Sequence, residues 1–108
     1  MKNDRLAQLL EMLAEEPGDV FLRYAIALEH KRIGRTEQAI GELEELVRDI
    51  PAHIATYYQL ALLLAEIGRT ADARNTCEAG MLQCLVIGDR KARGELSELR
   101  NTLVDEQE

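Results

Sequence analysis

The chain has 108 residues, of which 20 are acidic and 13 are Lys or Arg, so its net charge is -7 and its pI is near 4.9. This balance argues against binding to nucleic acid or to anionic membranes, because both require a basic surface. The length fits one small domain, and 46% hydrophobic with 31% charged residues is typical of a folded globular protein.

The first predicted helix covers residues 3–15 and ends before Pro17-Gly18, a pair that stops helices. Asp19 is suited to cap a second helix that continues to Ile33. This second helix has two apolar stripes, and both must be covered unless one is offered to a partner. One stripe consists of Leu22, Ile26, Ala27, His30 and Ile33, and the other of Phe21, Tyr24, Leu28 and Lys31.

The third predicted helix extends from about Thr36 to Asp49, and the fourth begins at Ala52 or Ile54 and ends at Ile67. Both have apolar residues at helical spacing, and the fourth is again apolar on two sides. The third is expected to bury Ala39, Ile40, Leu43, Leu46 and Val47. The fourth has one face of Tyr57, Leu60, Ala61 and Leu64 and another of Tyr58, Leu62 and Ala65.

The fifth predicted helix starts at Thr70 and ends at Gly88, after which Asp89 caps a sixth helix through about Val104. Residues 105–108 are mostly acidic and follow a helix C-terminus, where the helix dipole disfavours negative charge, so fraying is expected there. The expected core residues are Ala73, Cys77, Met81 and Leu85 in the fifth helix and Ala92, Leu96, Leu99 and Leu103 in the sixth.

A short segment, Ile33-Gly34-Arg35-Thr36, recurs 34 residues later as 67–70. Each glycine is expected to end a helix in the left-handed conformation. Each threonine is expected to start the next helix, its hydroxyl accepting a hydrogen bond from a backbone N–H. Aligning residues 20–51 with 54–85 gives nine identities. The chain therefore contains a repeated helical hairpin.

A 34-residue helix–turn–helix unit with small residues at fixed places resembles the tetratricopeptide repeat, whose pattern is W-x2-L-G-x2-Y, A-x3-F and P. The first unit places Arg23, Ile26, Ala27, His30, Ala39, Leu43 and Pro51 at these positions. The second places Tyr57, Leu60, Ala61, Leu64, Ala73, Cys77 and Leu85 there. The four alanines would let paired helices approach closely. Arg23 replaces the Trp in the first unit, His30 and Leu64 replace the Tyr, and the second unit lacks the Pro.

The resemblance implies an all-α superhelix of antiparallel hairpins, with about six helices in one domain at 1–108. It implies a half repeat at 4–18, repeats at 20–53 and 54–88, and a capping helix at 89–104. In the family, the first helix of each unit lines a concave groove that holds a peptide. The residues placed there are Phe21, Tyr24, Leu28, Lys31, Ala55, Tyr58, Leu62 and Ala65.

The predicted function is a non-enzymatic protein–protein interaction module that binds a peptide or protein partner in this groove. The acidic exterior favours neutral or basic partners. The alternative is structural self-association into a homo-oligomer through the same apolar surface. A further possibility is that the chain's own terminal helices cover Tyr24 and Tyr58.

No cofactor or metal site is expected. His30 and His53 lie 23 residues apart without Cys or carboxylate partners at metal-binding spacing, and no phosphate-binding or nucleophile motif is present. Cys77 and Cys84 fall in one predicted helix roughly 10.5 Å apart, too far for a disulfide. Free thiols and the absence of a membrane-spanning apolar run predict a cytoplasmic protein.

Overall fold

The computed structural model describes residues 4–104, a range that contains six helices and no strand. The predicted all-α class is confirmed, and each helix lies within two residues of its predicted bounds. The predicted fraying of residues 105–108 lies outside the described range. The helices are α1 (Asp4–Glu15), α2 (Val20–Arg32), α3 (Thr36–Asp49), α4 (Ile54–Glu66), α5 (Thr70–Ile87) and α6 (Arg90–Thr102).

The chain divides into two compact units, the first ending at Ile50 and the second beginning at Pro51. In the first unit, α2 packs against both α1 and α3. In the second unit, α5 packs against both α4 and α6. The central helix of each unit is therefore covered on two sides, as expected for α2 with its two apolar stripes.

The core of the first unit begins where Leu6 and Leu9 of α1 pack with Ile26 of α2. Partly buried apolar residues from both helices surround this contact. The third helix buries Ala39, Ile40, Leu43 and Leu46 as predicted, whereas Val47 is only half-buried. Burial of one such leucine contributes about 1.5–3 kcal/mol, so a few of these contacts hold α1 and α3 on α2.

The core of the second unit is built around Tyr57, which is 2% exposed. The Tyr57 hydroxyl donates a 2.8 Å hydrogen bond to the backbone carbonyl of Pro51. This bond satisfies the polar end of an otherwise apolar buried side chain. The face predicted for α4, consisting of Tyr57, Leu60, Ala61 and Leu64, is buried, and Leu63 is buried as well.

The core face of α5 differs from the prediction at its C-terminal half. Leu85 was expected to be buried but is 57% exposed, and Met81 is half-buried. Gly80 and Cys84 are buried in their place, together with Ala73 and Cys77. These small residues form the contact face because they let α4 and α6 approach α5 closely. A pattern of large apolar residues does not predict which small residues take this role.

The helices of each hairpin are joined at Gly34 and Gly68, which have φ of +90° and +87°. At the first link, the N–H of Gly34 bonds to the Lys31 carbonyl and the N–H of Arg35 bonds to the His30 carbonyl, at 3.1 and 2.8 Å. The same pair of bonds recurs at the second link. This is the Schellman arrangement, and it confirms the predicted glycine helix ends.

The predicted threonine caps are wrong. Arg35 and Arg69 occupy the cap positions of α3 and α5 without a side-chain cap, and Thr36 and Thr70 are already the first helical residues. The N–H of the residue after each glycine closes the Schellman turn, and that residue also takes the cap position of the next helix. The threonine therefore lies one residue inside the helix. The predicted aspartate caps are confirmed, since the Asp19 and Asp89 carboxylates each accept a 3.0 Å hydrogen bond from the backbone N–H three residues later.

Candidate functional site

The residues predicted to bind a partner form one set on α2 and one on α4. The α2 strip consists of Phe21, Tyr24, Leu28 and Lys31, and the α4 strip of Ala55, Tyr58, Leu62 and Ala65. Phe21 is 71% exposed and Ala55 is exposed, while the other six residues are half-buried. All eight therefore keep part of their side-chain surface in contact with solvent.

The α2 strip stays accessible because α1 packs on a different side of the helix. The contact of α1 with α2 is centred on Ile26, with Leu22, Ala25 and Ile33 beside it. On a helix of 3.6 residues per turn, Leu22, Ile26 and Ile33 point away from Phe21 and Leu28, and Ala25 lies between the two sides. The side chain of Phe21 stays mostly exposed beside this contact.

The α4 strip faces a hollow in its own unit. Tyr58 lines this hollow, which has a volume of about 440 Å³. The opposite wall belongs to α6 and consists of Glu95, Glu98, Leu99 and Thr102. The C-terminal helix therefore lies beside Tyr58 without filling the space in front of it. An aromatic face next to two carboxylates is chemically suited to a cationic side chain.

Two buried polar residues of α2 form pairs that hold helices together. Glu29, 4% exposed, accepts a hydrogen bond from Arg32, and its other oxygen lies 3.3 Å from Arg5 of α1. The buried His30 was predicted to pack, and it also donates from Nδ1 to Glu42 Oε1 at 2.8 Å. A buried charge or imidazole is tolerated when it is paired in this way. The apolar pattern of the sequence did not point to Glu29 or to either of its arginine partners.

The two cysteines are free and buried. Burial raises the pKa of Cys77 to about 11, with Arg100 opposing and Glu78 adding to the effect. Burial, reinforced by Asp89, likewise raises the pKa of Cys84. Nucleophilic cysteines need a lowered pKa, so both side chains have the properties of inert core thiols.

Between residues 4 and 104, no three His, Cys, Asp or Glu side chains are grouped so that they could hold a metal ion. In the same range, no helix is long and apolar enough to cross a membrane.

Solved structures provide the comparison with known proteins. An NMR structure of a tetratricopeptide repeat domain protein from Salinibacter ruber is 34% identical, with a TM-score of 0.77, covering 81% of this chain and 88% of that chain. A crystal structure of a tetratricopeptide repeat domain protein from the same organism is also 34% identical, with a TM-score of 0.73, covering 79% of this chain and 94% of that one.

A protein from Bordetella parapertussis shares the fold at 22% identity, with a TM-score of 0.79, covering 92% of this chain and 86% of that chain. No family model matches the chain, and no curated protein matches it.

Proposed function

The chain belongs to the tetratricopeptide repeat family, and we propose that it is a non-enzymatic module that binds a peptide segment of a protein partner through the α2 and α4 strips. The family fold is typical of interaction scaffolds, which supports the general role. Beyond this general role, the proposal names the binding surface, which is formed by the two strips, and the kind of ligand, which is a peptide.

The observation that carries the proposal is the hollow in front of Tyr58. A half-buried tyrosine beside about 440 Å³ of open space offers a place for one or more side chains of a partner. Tyrosine buries a large area at a low cost in side-chain entropy and keeps a polar tip for a hydrogen bond. The carboxylates of Glu95 and Glu98 on the far wall favour a neutral or basic peptide.

The exposed ring of Phe21 supports the same role for the α2 strip. A single exposed apolar residue needs no explanation in a soluble protein. Phe21, however, lies on the same helix face as Tyr24 and Leu28, which are also partly accessible. An aromatic anchor within an apolar strip is the usual composition of an interface hot spot.

The test is a peptide-binding measurement on the whole chain. Peptides are selected from a random library against the immobilised protein, and the affinity of the best peptide is then measured for the Phe21→Ala and Tyr58→Ala variants. Loss of an aromatic hot spot costs more than about 1 kcal/mol, so we expect at least one variant to bind about tenfold more weakly.

Met12→Ala is the matched control, because Met12 is 52% exposed but lies on α1, outside both strips. It should bind the peptide within about twofold of the unchanged protein, since surface substitutions away from an interface have small effects. Thermal unfolding of each variant confirms that it is folded. The proposal is contradicted if both aromatic variants bind as well as Met12→Ala.

Self-association through the same strips is the alternative function. Sedimentation over a range of concentrations that brackets the peptide dissociation constant separates the two. A monomer at every concentration supports binding of a different partner. An oligomer that Phe21→Ala or Tyr58→Ala dissociates would instead assign the strips to contacts between copies.

A further inference from the structure

The last helix carries charges of opposite sign on its two sides. Glu95 and Glu98 line the hollow that faces Tyr58 of α4. Arg90, Arg93 and Arg100 instead line hollows that face α5. The buried Leu96 lies between the two sets and anchors the helix. In a chain with a net charge of -7, three arginines along one edge form a local exception.

The arginine edge borders an apolar surface of α5. One hollow of about 270 Å³ is lined by Met81, Leu82 and Leu85, with Arg93, Arg100 and Glu78 around them. A second hollow of about 510 Å³ shares Met81 and Arg93 and extends past Gly94 to Arg90 and Ser97. We call this surface the α5–α6 patch, and its principal residues are Met81, Leu82, Leu85, Arg90, Arg93 and Arg100.

The apolar part of the patch is unusually accessible. Leu82 is 64% exposed, and Leu85, one turn further along α5, is also exposed. Val86, four residues after Leu82, is exposed on the same side of the helix. Residues at i, i+3 and i+4 form a continuous ridge on a helix. Covering a ridge of this kind yields about 25 cal/mol for each Å² of apolar surface removed from water.

The charges around the patch indicate what covers it. Among the residues that line the two hollows, the three arginines are accompanied by one carboxylate, Glu78, which lies 3.8 Å from Arg100. Asp89 precedes Arg90, and its carboxylate accepts the Ala92 N–H. The lining of the two hollows therefore carries more positive than negative charge. Arginine pairs carboxylates through two parallel hydrogen bonds and is favoured at interfaces for this reason. A partner must then combine large apolar side chains with flanking Asp or Glu.

We propose that the α5–α6 patch binds an acidic amphipathic helix from another protein. Its apolar side chains contact Leu82 and Leu85 and enter the hollow at Met81. Its carboxylates pair with Arg90 and Arg93. A helix fits because ridges of aliphatic side chains on one helix pack into the grooves of another. This site is separate from the two strips and does not depend on their function.

The same features weigh against other occupants. A symmetric dimer would bring the same patch of two copies together, so that arginines would face arginines. Nucleic acid would pair with the arginines but would leave the leucines uncovered by any apolar group. Salt weakens the repulsion between the overall charge of -7 and an acidic helix, because it screens charges that are more than about 8 Å apart at physiological ionic strength.

The probe is a fluorescently labelled synthetic amphipathic helix of about 18 residues, long enough to form a helix. One face carries leucines at i, i+3, i+4 and i+7, and glutamates flank it. A second peptide replaces every glutamate by lysine, and a third keeps the glutamates but replaces the leucines by serine. Binding to the whole chain is followed by fluorescence anisotropy. We expect the first peptide to bind at least about tenfold more tightly than either of the others.

Two charge reversals separate the patch from the net charge of the protein. Arg93→Glu should weaken the acidic helix about tenfold, whereas Arg35→Glu, the same change at an exposed residue of the first unit, should alter it less than about twofold. Leu82→Ser tests the apolar contact and, being at an exposed position, should leave the melting temperature unchanged. Phe21→Ala should bind this helix normally and so distinguishes this site from the α2 strip.

Four results would overturn the inference. The first is equal binding of the glutamate and lysine peptides, and the second is equal loss of binding in Arg93→Glu and Arg35→Glu. The third is sedimentation of the unchanged protein as an oligomer that Leu82→Ser dissociates, which would assign the patch to a second copy. The fourth is displacement of the acidic helix from the unchanged protein by a short oligonucleotide that binds Leu82→Ser equally well. This result would assign the arginines to nucleic acid instead.

Discussion

Gly80 has no side chain, and the second unit uses the space this leaves. A Cβ at this position would lie 2.8 Å from Leu96 Cδ1 and 2.8 Å from Tyr57 Cβ, closer than real carbon contacts. One repeat earlier the position is Leu46, which is fully buried, and the partner of Tyr57 in the alignment is Arg23. Arg23 extends to the Asp49 carboxylate at 2.9 Å. The two units thus combine large and small residues differently at equivalent positions.

Gly80→Ala is expected to destabilise the protein by about 1–3 kcal/mol, because overpacking a tight helix contact forces neighbours to move. Gly41→Ala is the control, since nothing lies within 4 Å of its would-be Cβ. The control should stabilise the protein by about 0.5–1 kcal/mol through helix propensity alone. Urea unfolding measures both changes, and similar stabilities for the two variants would show that the Gly80 contact is loose.

Cys77 provides a prediction on pH. Because burial holds its pKa at about 11, only about one thiol in a thousand is ionised at pH 8, against about a quarter for an unperturbed cysteine. Alkylation of Cys77 by iodoacetamide should therefore be at least about a hundredfold slower in the native protein than in denaturant. Its rate should rise about tenfold per pH unit from 7 to 9 without levelling off. Peptide mass spectrometry reads each cysteine separately, and a plateau near pH 8.5 would contradict the raised pKa.

At the scale of the helix, the ends are fixed by different devices at different places. The helices α2 and α6 begin at aspartates whose carboxylates accept backbone N–H groups. The helices α3 and α5 begin directly from the Schellman turns, with arginine at the cap position and no side-chain acceptor. The stability of α5 must therefore come from packing against α4 and α6.

This difference predicts unequal effects of two alanine substitutions in the second unit. Asp89→Ala removes the acceptor for the Ala92 N–H and should cost about 1 kcal/mol. Thr70→Ala removes no cap and introduces the best helix former, so its effect should lie within about 0.5 kcal/mol of zero. The midpoints of urea unfolding compare them directly. A loss for Thr70→Ala as large as that for Asp89→Ala would mean that the threonine hydroxyl caps α5 in solution.

At the scale of the whole molecule, most of the architecture could be predicted from local sequence patterns. The spacing of apolar residues indicated each helix, and the glycines at 34 and 68 indicated the hairpin links, because both features are determined within a few residues of chain. Ala39 and Ala73 were placed correctly in the core because the repeat aligns them, and both are fully buried.

Features that depend on how helices rotate against each other could not be predicted. Arg5, which pairs with Glu29, and Glu42, which pairs with His30, lie on neighbouring helices, so sequence spacing does not reveal them. Leu85 is exposed because α5 packs through its small residues, and an apolar pattern does not distinguish small residues from large ones. The hollow beside Tyr58 depends on the position of α6 and likewise could not be predicted from the sequence. The assignment of the strips to a binding role stays a prediction.

The link between α2 and α3 leaves no spare length. Arg35 completes the turn that ends one helix and occupies the cap position of the next, and Arg69 does the same in the second unit. One added residue would rotate the following helix by about 100° and withdraw its apolar face from its neighbour. Changes of chain length within this architecture should therefore be tolerated around 16–18 but not at the two hairpin links. A glycine inserted after Gly68 should unfold the second unit, whereas the same insertion after Gly18 should leave both units folded.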